Sequence, residues 1–365
     1  MIQLNYRRIE AMKIVSVVGA RPQFVKLAPI AHAAARADVD HKIVHTGQHY
    51  DPMLSDVFFE QLGIPTPDRH LGVGSGSHGI QTGAMLAKLD EVFTELQPDW
   101  VLTYGDTNST IAAALSAVKL HFPVAHLEAG LRSFNRAMPE EINRILTDHA
   151  SDLLLAPTQV AADHLASEGL ADKTVIVGDV MTDVLMSEVV KLGDTPSPVA
   201  EELGFADGSY SLATIHRAEN TDDPTRLAAI VQSLQNLDHP VVLLAHPRTV
   251  AKAKDQGLDL SGGSLYLHEP LSYANLLASA RRARGVITDS GGLQKEAFLL
   301  GVLTTTVRPQ TEWVETVELG WNELVEPDGI IQAATREKPQ STDATPYGDG
   351  HAADRVVSVL SSSGR

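Results

Sequence analysis

Short apolar runs of strand length alternate with amphipathic helical stretches along almost the whole chain. A continuous apolar run bounded by turn residues suits a strand buried on both faces. A helix between two such runs brings the chain back so that the next strand lies parallel. In the first half this pattern predicts strands over 13–18, 41–46, 100–104, 123–127, 153–156 and 174–177, with helices over 24–37, 80–96 and 108–119 among the connections. After Pro196-Ser197-Pro198 the alternation starts again, predicting strands over 210–214, 241–245, 265–267, 285–288 and 303–307. Two consecutive α/β units imply two Rossmann-like domains facing each other across a cleft. The expected division is an N-terminal domain over 12–192, a C-terminal domain over 193–350, and a last helix within 351–365 that packs back on the first domain. The polar segment 336–350, rich in Pro, Thr and Gly, is expected to cross the surface.

Hydrophobic residues make up 43% of the chain, which supports substantial cores, and no apolar run approaches the ~20 residues of a membrane span. The opening ten residues carry two arginines with no apolar signal-peptide core after them, so a cytoplasmic protein is expected. Met12 stands directly before the first strand, and residues 1–11 read as an extension without chemistry. The absence of cysteine removes disulfides, thiolate nucleophiles and Cys-ligated metals. A net charge of −17 argues against nucleic acid as a partner, and an anionic ligand must be held by a local cluster of cations and backbone donors.

Ligands of open α/β sheets sit beyond the C-terminal ends of the strands, so the residues at those ends carry most information. The run Gly285-Val286-Ile287-Thr288 enters Asp289-Ser290-Gly291-Gly292, and a helical pattern follows at once. A helix starting there aims free N–H groups and its positive dipole end at one spot, which suits a phosphate, while Ser290 also suits a simple N-cap. After the first strand, Arg21 and Lys26 place two cations at a helix start, against the dipole, as if an anion sat between them. Asp106 follows the strand ending at Tyr104 and reads either as a functional acid or as a helix cap. Glu128 follows the strand ending at Leu127 and has no capping duty. Glu140 and Glu141 open a further helix, where first-turn acids are ordinary dipole partners. In the second half His216-Arg217 and His246-Pro247-Arg248 each put a histidine and an arginine at a strand end, which with Ser290, Gly291 and Gly292 suits a diphosphate. The spacings match no EF-hand, zincin or lysine-bearing phosphate loop, so no metal is expected. Carboxylates on one domain and anion donors on the other suit elimination or glycosyl transfer, and spacing does not choose between them.

Taken together, Gly19-Ala20-Arg21-Pro22 with Lys26, Gln48-His49, Gly105-Asp106-Thr107, His126 to Arg132, Pro139 to Arg144, His216-Arg217 and Asp289-Ser290-Gly291-Gly292 with Glu296 resemble the non-hydrolysing UDP-N-acetylglucosamine 2-epimerases. The resemblance covers nearly the whole chain from Met12. It implies the glycosyltransferase-B architecture, a UDP-sugar substrate, no cofactor, a homodimer, and interconversion of UDP-GlcNAc and UDP-ManNAc. Elimination of UDP would give a 2-acetamidoglucal, and re-addition would follow with C2 inverted. It casts Asp106, Glu128 and Glu140 as acid/base groups and His216 as partner of the leaving diphosphate. Arg21, Lys26, Arg132, Arg144, Arg217, His246, Ser290, Gly291, Gly292 and Glu296 become substrate-binding residues. Gln48, His49 and Arg69 are where an activating second UDP-GlcNAc would be sought. Trp313 stands where many bacterial members have arginine, a form that resembles a branch including 2-epimerases of UDP-2,3-diacetamido-2,3-dideoxyglucuronic acid. A glycosyltransferase of the same architecture, a hydrolysing epimerase and a catalytically silent nucleotide-sugar sensor are the rival readings.

Overall fold

The computed structural model describes residues 11–48, 59 and 62–363. Contacts divide the chain into two compact units, Met1–Met186 with Thr345–Arg365, and Ser187–Ala344.

The first unit is built on seven parallel strands: β1 (Lys13–Val18), β2 (Asp40–His45), β3 (Arg69–His70), β4 (Trp100–Tyr104), β5 (Val124–Leu127), β6 (Leu153–Ala156) and β7 (Thr174–Ile176), in the order β3-β2-β1-β4-β5-β6-β7. Alternation along β1 sorts its side chains onto two faces. Ile14 and Val18 join a core with Phe24, Leu27, Ile30, Leu102, Val356 and Leu360, while Val15 and Val17 join another with Met85, Leu89, Phe93, Val101 and Ala113. The first of these cores takes in the helices Arg21–Arg36 and Ala352–Ser362, the second the helices His78–Leu96 and Asn108–Lys119. The C-terminal helix is tied down by polar contacts as well. Asp183 accepts hydrogen bonds from the amides of Ala352 (2.9 Å) and Ala353 (2.7 Å), and the Trp100 indole donates to the Leu360 carbonyl (3.2 Å).

The second unit repeats the design with six parallel strands, β8 (Ser211–Thr214), β9 (Val241–Leu244), β10 (Leu265–His268), β11 (Gly285–Thr288), β12 (Leu303–Thr306) and β13 (Asn322–Leu324), ordered β10-β9-β8-β11-β12-β13. Both sheets reverse direction of growth beside their first strand, at β1/β4 and at β8/β11. That reversal is the switch point at which doubly wound folds bind nucleotides. The strands β3 and β13 were not anticipated. Each is an edge strand of two or three mostly polar residues, and such a segment carries no apolar run to betray it.

Candidate active site

In the first unit the ends of β4 and β5 lie side by side, with Tyr104 opposite Leu127. Asp106 and Glu128 therefore emerge close together. Thr107, not Asp106, caps the helix Asn108–Lys119, its hydroxyl accepting from the Thr110 amide (3.3 Å). Asp106 is left to pair with Arg144, and its backbone carbonyl accepts from Asn143 (2.9 Å). Glu128 pairs with Lys26 from the helix Arg21–Arg36. The anion facing Lys26 is thus supplied by the protein itself. Burial works to lower the Lys26 pKa, but the charge and hydrogen bond of Glu128, with Asp106 adding, hold it above the ordinary lysine value.

Two backbone features make room for this cluster. Gly105 sits at φ +63°, and a Cβ there would lie 3.3 Å from a Glu128 carboxylate oxygen and 3.4 Å from Lys26 Nζ. Glu128 itself sits at φ +66°, a left-handed conformation that a non-glycine residue adopts at a cost of about 1–3 kcal/mol when its surroundings enforce it. A buried network enforces it. Both ring nitrogens of His126 meet oxygen acceptors, Nδ1 at Asp148 (2.6 Å) and Nε2 at the Gly105 carbonyl (2.7 Å). The other Asp148 oxygen accepts from the Gly130 amide (3.2 Å) and pairs with Arg132 (2.7 Å). Burial acts to raise the Asp148 pKa, but His126 and Arg132 outweigh it and hold the carboxyl below its usual value. One carboxylate thereby links the Gly105 turn to the turn after Glu128.

Arg132 is spent on this network. Its guanidinium is buried, with a double contact to Glu168 (2.7 and 2.9 Å), so it stands behind the acid cluster and not in it. Glu140 and Glu141 divide their duties. Glu141 is buried and accepts from the Ser133 amide and hydroxyl (both 2.9 Å), the Phe134 amide (2.8 Å) and Arg144 (3.0 Å). Glu140 is exposed, with no hydrogen bond or ion pair among the described residues. Arg21 opens its helix from an exposed position. Of the three residues considered for an activator, Gln48 accepts from the Ser109 amide (3.0 Å) and hydroxyl (2.7 Å), and Arg69 pairs with Glu95. His49 lies outside the described residues.

In the second unit Asp289 organises the end of β11. It is fully buried and accepts from the amides of His216 (3.0 Å) and Arg217 (2.9 Å) and from the Asn220 side chain (3.0 Å), with His216 Nδ1 at 3.1 Å. That hydrogen bond raises the His216 pKa above its ordinary value; partial burial opposes it, and the Asp289 charge adds to it. Ser290 caps the helix Gly291–Leu299, its hydroxyl accepting from the Leu293 amide (3.5 Å), and the amides of Gly291 and Gly292 before it suit an anion. A Cβ on Gly291 would lie 3.9 Å from an Arg308 guanidinium nitrogen and 4.0 Å from one of Arg217. Trp313 donates its indole N–H to the Gly291 carbonyl (2.7 Å) and lies under the Lys295 ammonium, 4.4 Å from the ring centre. Glu296, its pKa raised by burial, accepts from the Tyr273 hydroxyl (3.0 Å).

His246 is not drawn into this cluster. Its ring caps the helix Pro247–Asp255 by accepting from the Arg248 amide (3.2 Å), and Arg248 turns to Asp222 (3.0 Å). Three contributors escaped the sequence reading, Asp148, Arg308 and Asp289. The last stood inside the quoted motif, and an acid directly before Ser-Gly-Gly at a strand end was its one available signal. Among the described residues no three His, Asp or Glu side chains gather as a metal site would, and no helix is long and apolar enough to cross a membrane.

Two doubly wound parallel sheets, one with paired acids and cations at its strand ends and the other with a helix start flanked by histidine and arginines, define an α/β enzyme of the nucleotide-sugar kind. The family model for UDP-N-acetylglucosamine 2-epimerase matches residues 31–361. A UDP-2,3-diacetamido-2,3-dideoxy-D-glucuronate 2-epimerase of Pseudomonas aeruginosa is 47% identical over 360 residues, covering 96% of this chain and 99% of that one. A UDP-N-acetylglucosamine 2-epimerase of Methanocaldococcus jannaschii is 39% identical over 362 residues, with 96% and 99% covered. The crystal structure of the M. jannaschii UDP-GlcNAc 2-epimerase with UDP-GlcNAc and UDP superposes with a TM-score of 0.76 at 39% identity, over 96% of this chain and 100% of that one. The chain belongs to the UDP-N-acetylglucosamine 2-epimerase family and is an epimerase.

Proposed function

We propose that this epimerase inverts C2 of a UDP-activated 2-acetamido sugar by eliminating UDP and adding it back. The hydrogen on C2 has no neighbouring carbonyl, so its removal as a free carbanion would be too costly. Departure of UDP from C1 in the same step gives the 2-acetamidoglucal instead. The observation that carries the reading is the placement of Asp106 and Glu128 at adjacent strand ends, each held by its own cation, Arg144 or Lys26. Acid/base work at a carbon needs a carboxylate fixed within reach of its proton, and an ion pair fixes one. Glu140 adds a third acid, and Arg21 joins Lys26 in holding the complex. His216 and the helix start at Ser290, Gly291 and Gly292 take the diphosphate, with Arg217 beside them. Glu296 takes the ribose hydroxyls. Arg132 positions the acids from behind.

Interconversion of UDP-GlcNAc and UDP-ManNAc is the first reading of the substrate. The relative at 47% identity favours a second, the diacetamido glucuronate, which carries a carboxylate at C6 and a second acetamido group at C3. Incubation of each UDP-sugar in deuterated water, followed by NMR, tests both. The expected product is the C2 epimer, still joined to UDP, with one deuteron at C2. Deuterium-free product from either sugar, or release of free sugar, would remove the mechanism. In the same assay Asp106→Asn is expected to lower kcat by ~100-fold or more, the scale of a lost general base.

A further inference from the structure

The helix Pro139–Ala150 meets Asp106 twice, with Asn143 on its backbone carbonyl (2.9 Å) and Arg144 on its carboxylate. The Arg144 guanidinium is shared. Its two terminal nitrogens serve different acids, Nη2 the Asp106 carboxylate and Nη1 the Glu141 carboxylate (3.0 Å). Glu141 is the third residue of the helix, where a glutamate ordinarily reaches back to the amide of its own N-cap. That amide, of Met138, is already taken by the Asn135 carbonyl (3.0 Å). The Glu141 side chain closes on the chain further back instead. One of its oxygens takes the Ser133 amide, the Ser133 hydroxyl and Arg144, and the other takes the Phe134 amide. Burial acts to raise the Glu141 pKa, but these donors outweigh it and hold the carboxyl below its usual value. Side-chain exposure rises from 1% at Glu141 to 18% at Arg144 and 30% at Asp106. The series runs outward from a buried anion through a cation to an acid open to solvent.

We propose that Glu141 is a positioning residue for the epimerisation, fixing one edge of Arg144 so that the other edge holds the Asp106 carboxylate in place. This inference rests on the reading of Asp106 as an acid/base group. An arginine left to itself samples many rotamers, and anchoring one edge of its planar fork leaves the other edge aimed in one direction. A carboxylate that shares a guanidinium with a second carboxylate is also less strongly held as the anion than one that has it alone, and so stays the better base.

A double-mutant cycle tests the coupling, because residues that act on one step lose activity non-additively. The turnover constants kcat and KM are measured for the wild-type protein, Glu141→Gln, Asp106→Asn and the double variant. The substrate is UDP-GlcNAc, or the diacetamido glucuronate should UDP-GlcNAc not turn over. Glu141→Gln is expected to lower kcat by ~10-fold with KM changed less than ~3-fold, and to cost less than ~2-fold when Asp106 is already Asn. A loss of ~10-fold in both backgrounds would make Glu141 a clamp for the loop alone and overturn the proposal, leaving the C2 chemistry intact. Normal kcat in Glu141→Gln overturns it as well. Normal kcat in Asp106→Asn would instead remove the acid/base reading and this inference together. Should Glu141→Gln fail to fold, Arg144→Lys is carried through the same cycle, since lysine keeps the charge without the planar fork that serves two acids. It is expected to lose ~10-fold in kcat alone and less than ~2-fold beside Asp106→Asn. Full kcat in Arg144→Lys, or an equal loss in both backgrounds, overturns the proposal.

Discussion

His216 shows how one buried carboxylate can shift the titration of a half-exposed side chain. Its imidazole is half-exposed yet hydrogen-bonded to a fully buried acid, and that bond is the largest influence raising its pKa above the ordinary value of 6.5. A raised histidine pKa means that the cationic form persists to higher pH. Affinity for UDP, a diphosphate, is therefore expected to hold through the ordinary titration range and weaken only as pH rises through the elevated value. The sign for stability is the same: the favourable contribution is complete below the unfolded value and is lost as pH climbs through the folded one. Asp289→Asn keeps the shape of the acceptor and removes the charge. UDP affinity measured against pH should then show its inflection moved downward, and an unmoved inflection would separate Asp289 from the titration. Glu128 makes a second point at this scale. Its left-handed backbone is unfavourable in itself, and it persists because the pair with Lys26 and the turn tied by Asp148 both require it.

The helix Pro139–Ala150 does more than connect β5 to β6. Its first turn brings Glu140 and Glu141, its second Arg144, and its last Asp148, so one element supports both acid-bearing turns. Asp148 is fully buried among His126, Arg132 and the Gly130 amide. Its removal leaves His126 Nδ1 and the Gly130 amide without their acceptor and takes from Arg132 one of its two carboxylate partners, and breaking a buried pair from one side costs about 3–5 kcal/mol. Asp148→Ala should therefore lose that much in denaturant unfolding, while Glu140→Ala, at an exposed position, should lose almost none. Much of this fold was legible because its strands are continuous apolar runs; β1, β4, β6 and β11 fall on the expected residues. Two of the four edge strands were not, because β3 and β13 are short and mostly polar and are held by backbone pairing to a neighbour, which leaves no trace in side-chain pattern. The site was legible in the same uneven way. Strand ends named Asp106, Glu128, His216 and Ser290, since position there follows from topology. Which of Glu140 and Glu141 turns inward depends on a single residue's rotation, about 100° on a helix, and adjacent glutamates look alike in a sequence. Asp148 sits three turns into a helix, where an acid has no local signature.

At the scale of the molecule the chain is discontinuous, since the first unit is completed only when residues 345–365 return to it, whereas the second is one unbroken segment with two cores of its own. The return is anchored at Gly178 and Gly348, where a Cβ on either would come within 3.4 or 3.2 Å of the other's Cα, and at Asp179, whose amide donates to the Tyr347 carbonyl (3.0 Å). Beyond that anchor the helix Ala352–Ser362 buries Val356, Val357 and Leu360 against the core that holds Phe24, Leu27 and Ile30. Full burial of such a side chain contributes about 1.5–3 kcal/mol, so three of them amount to roughly 5–9 kcal/mol. That is as large as the whole net stability of many domains, about 5–15 kcal/mol. A chain ending at Gly350 should consequently lose cooperative unfolding of the first unit while the second, which contributes nothing to that core, keeps its own transition. Urea unfolding followed by hydrogen exchange distinguishes the two: protection is expected to vanish from β1, β4 and β5 and to survive in β8, β9 and β11. Retention of native protection in β1 by the shortened chain would mean that the terminal helix merely covers a core already stable without it.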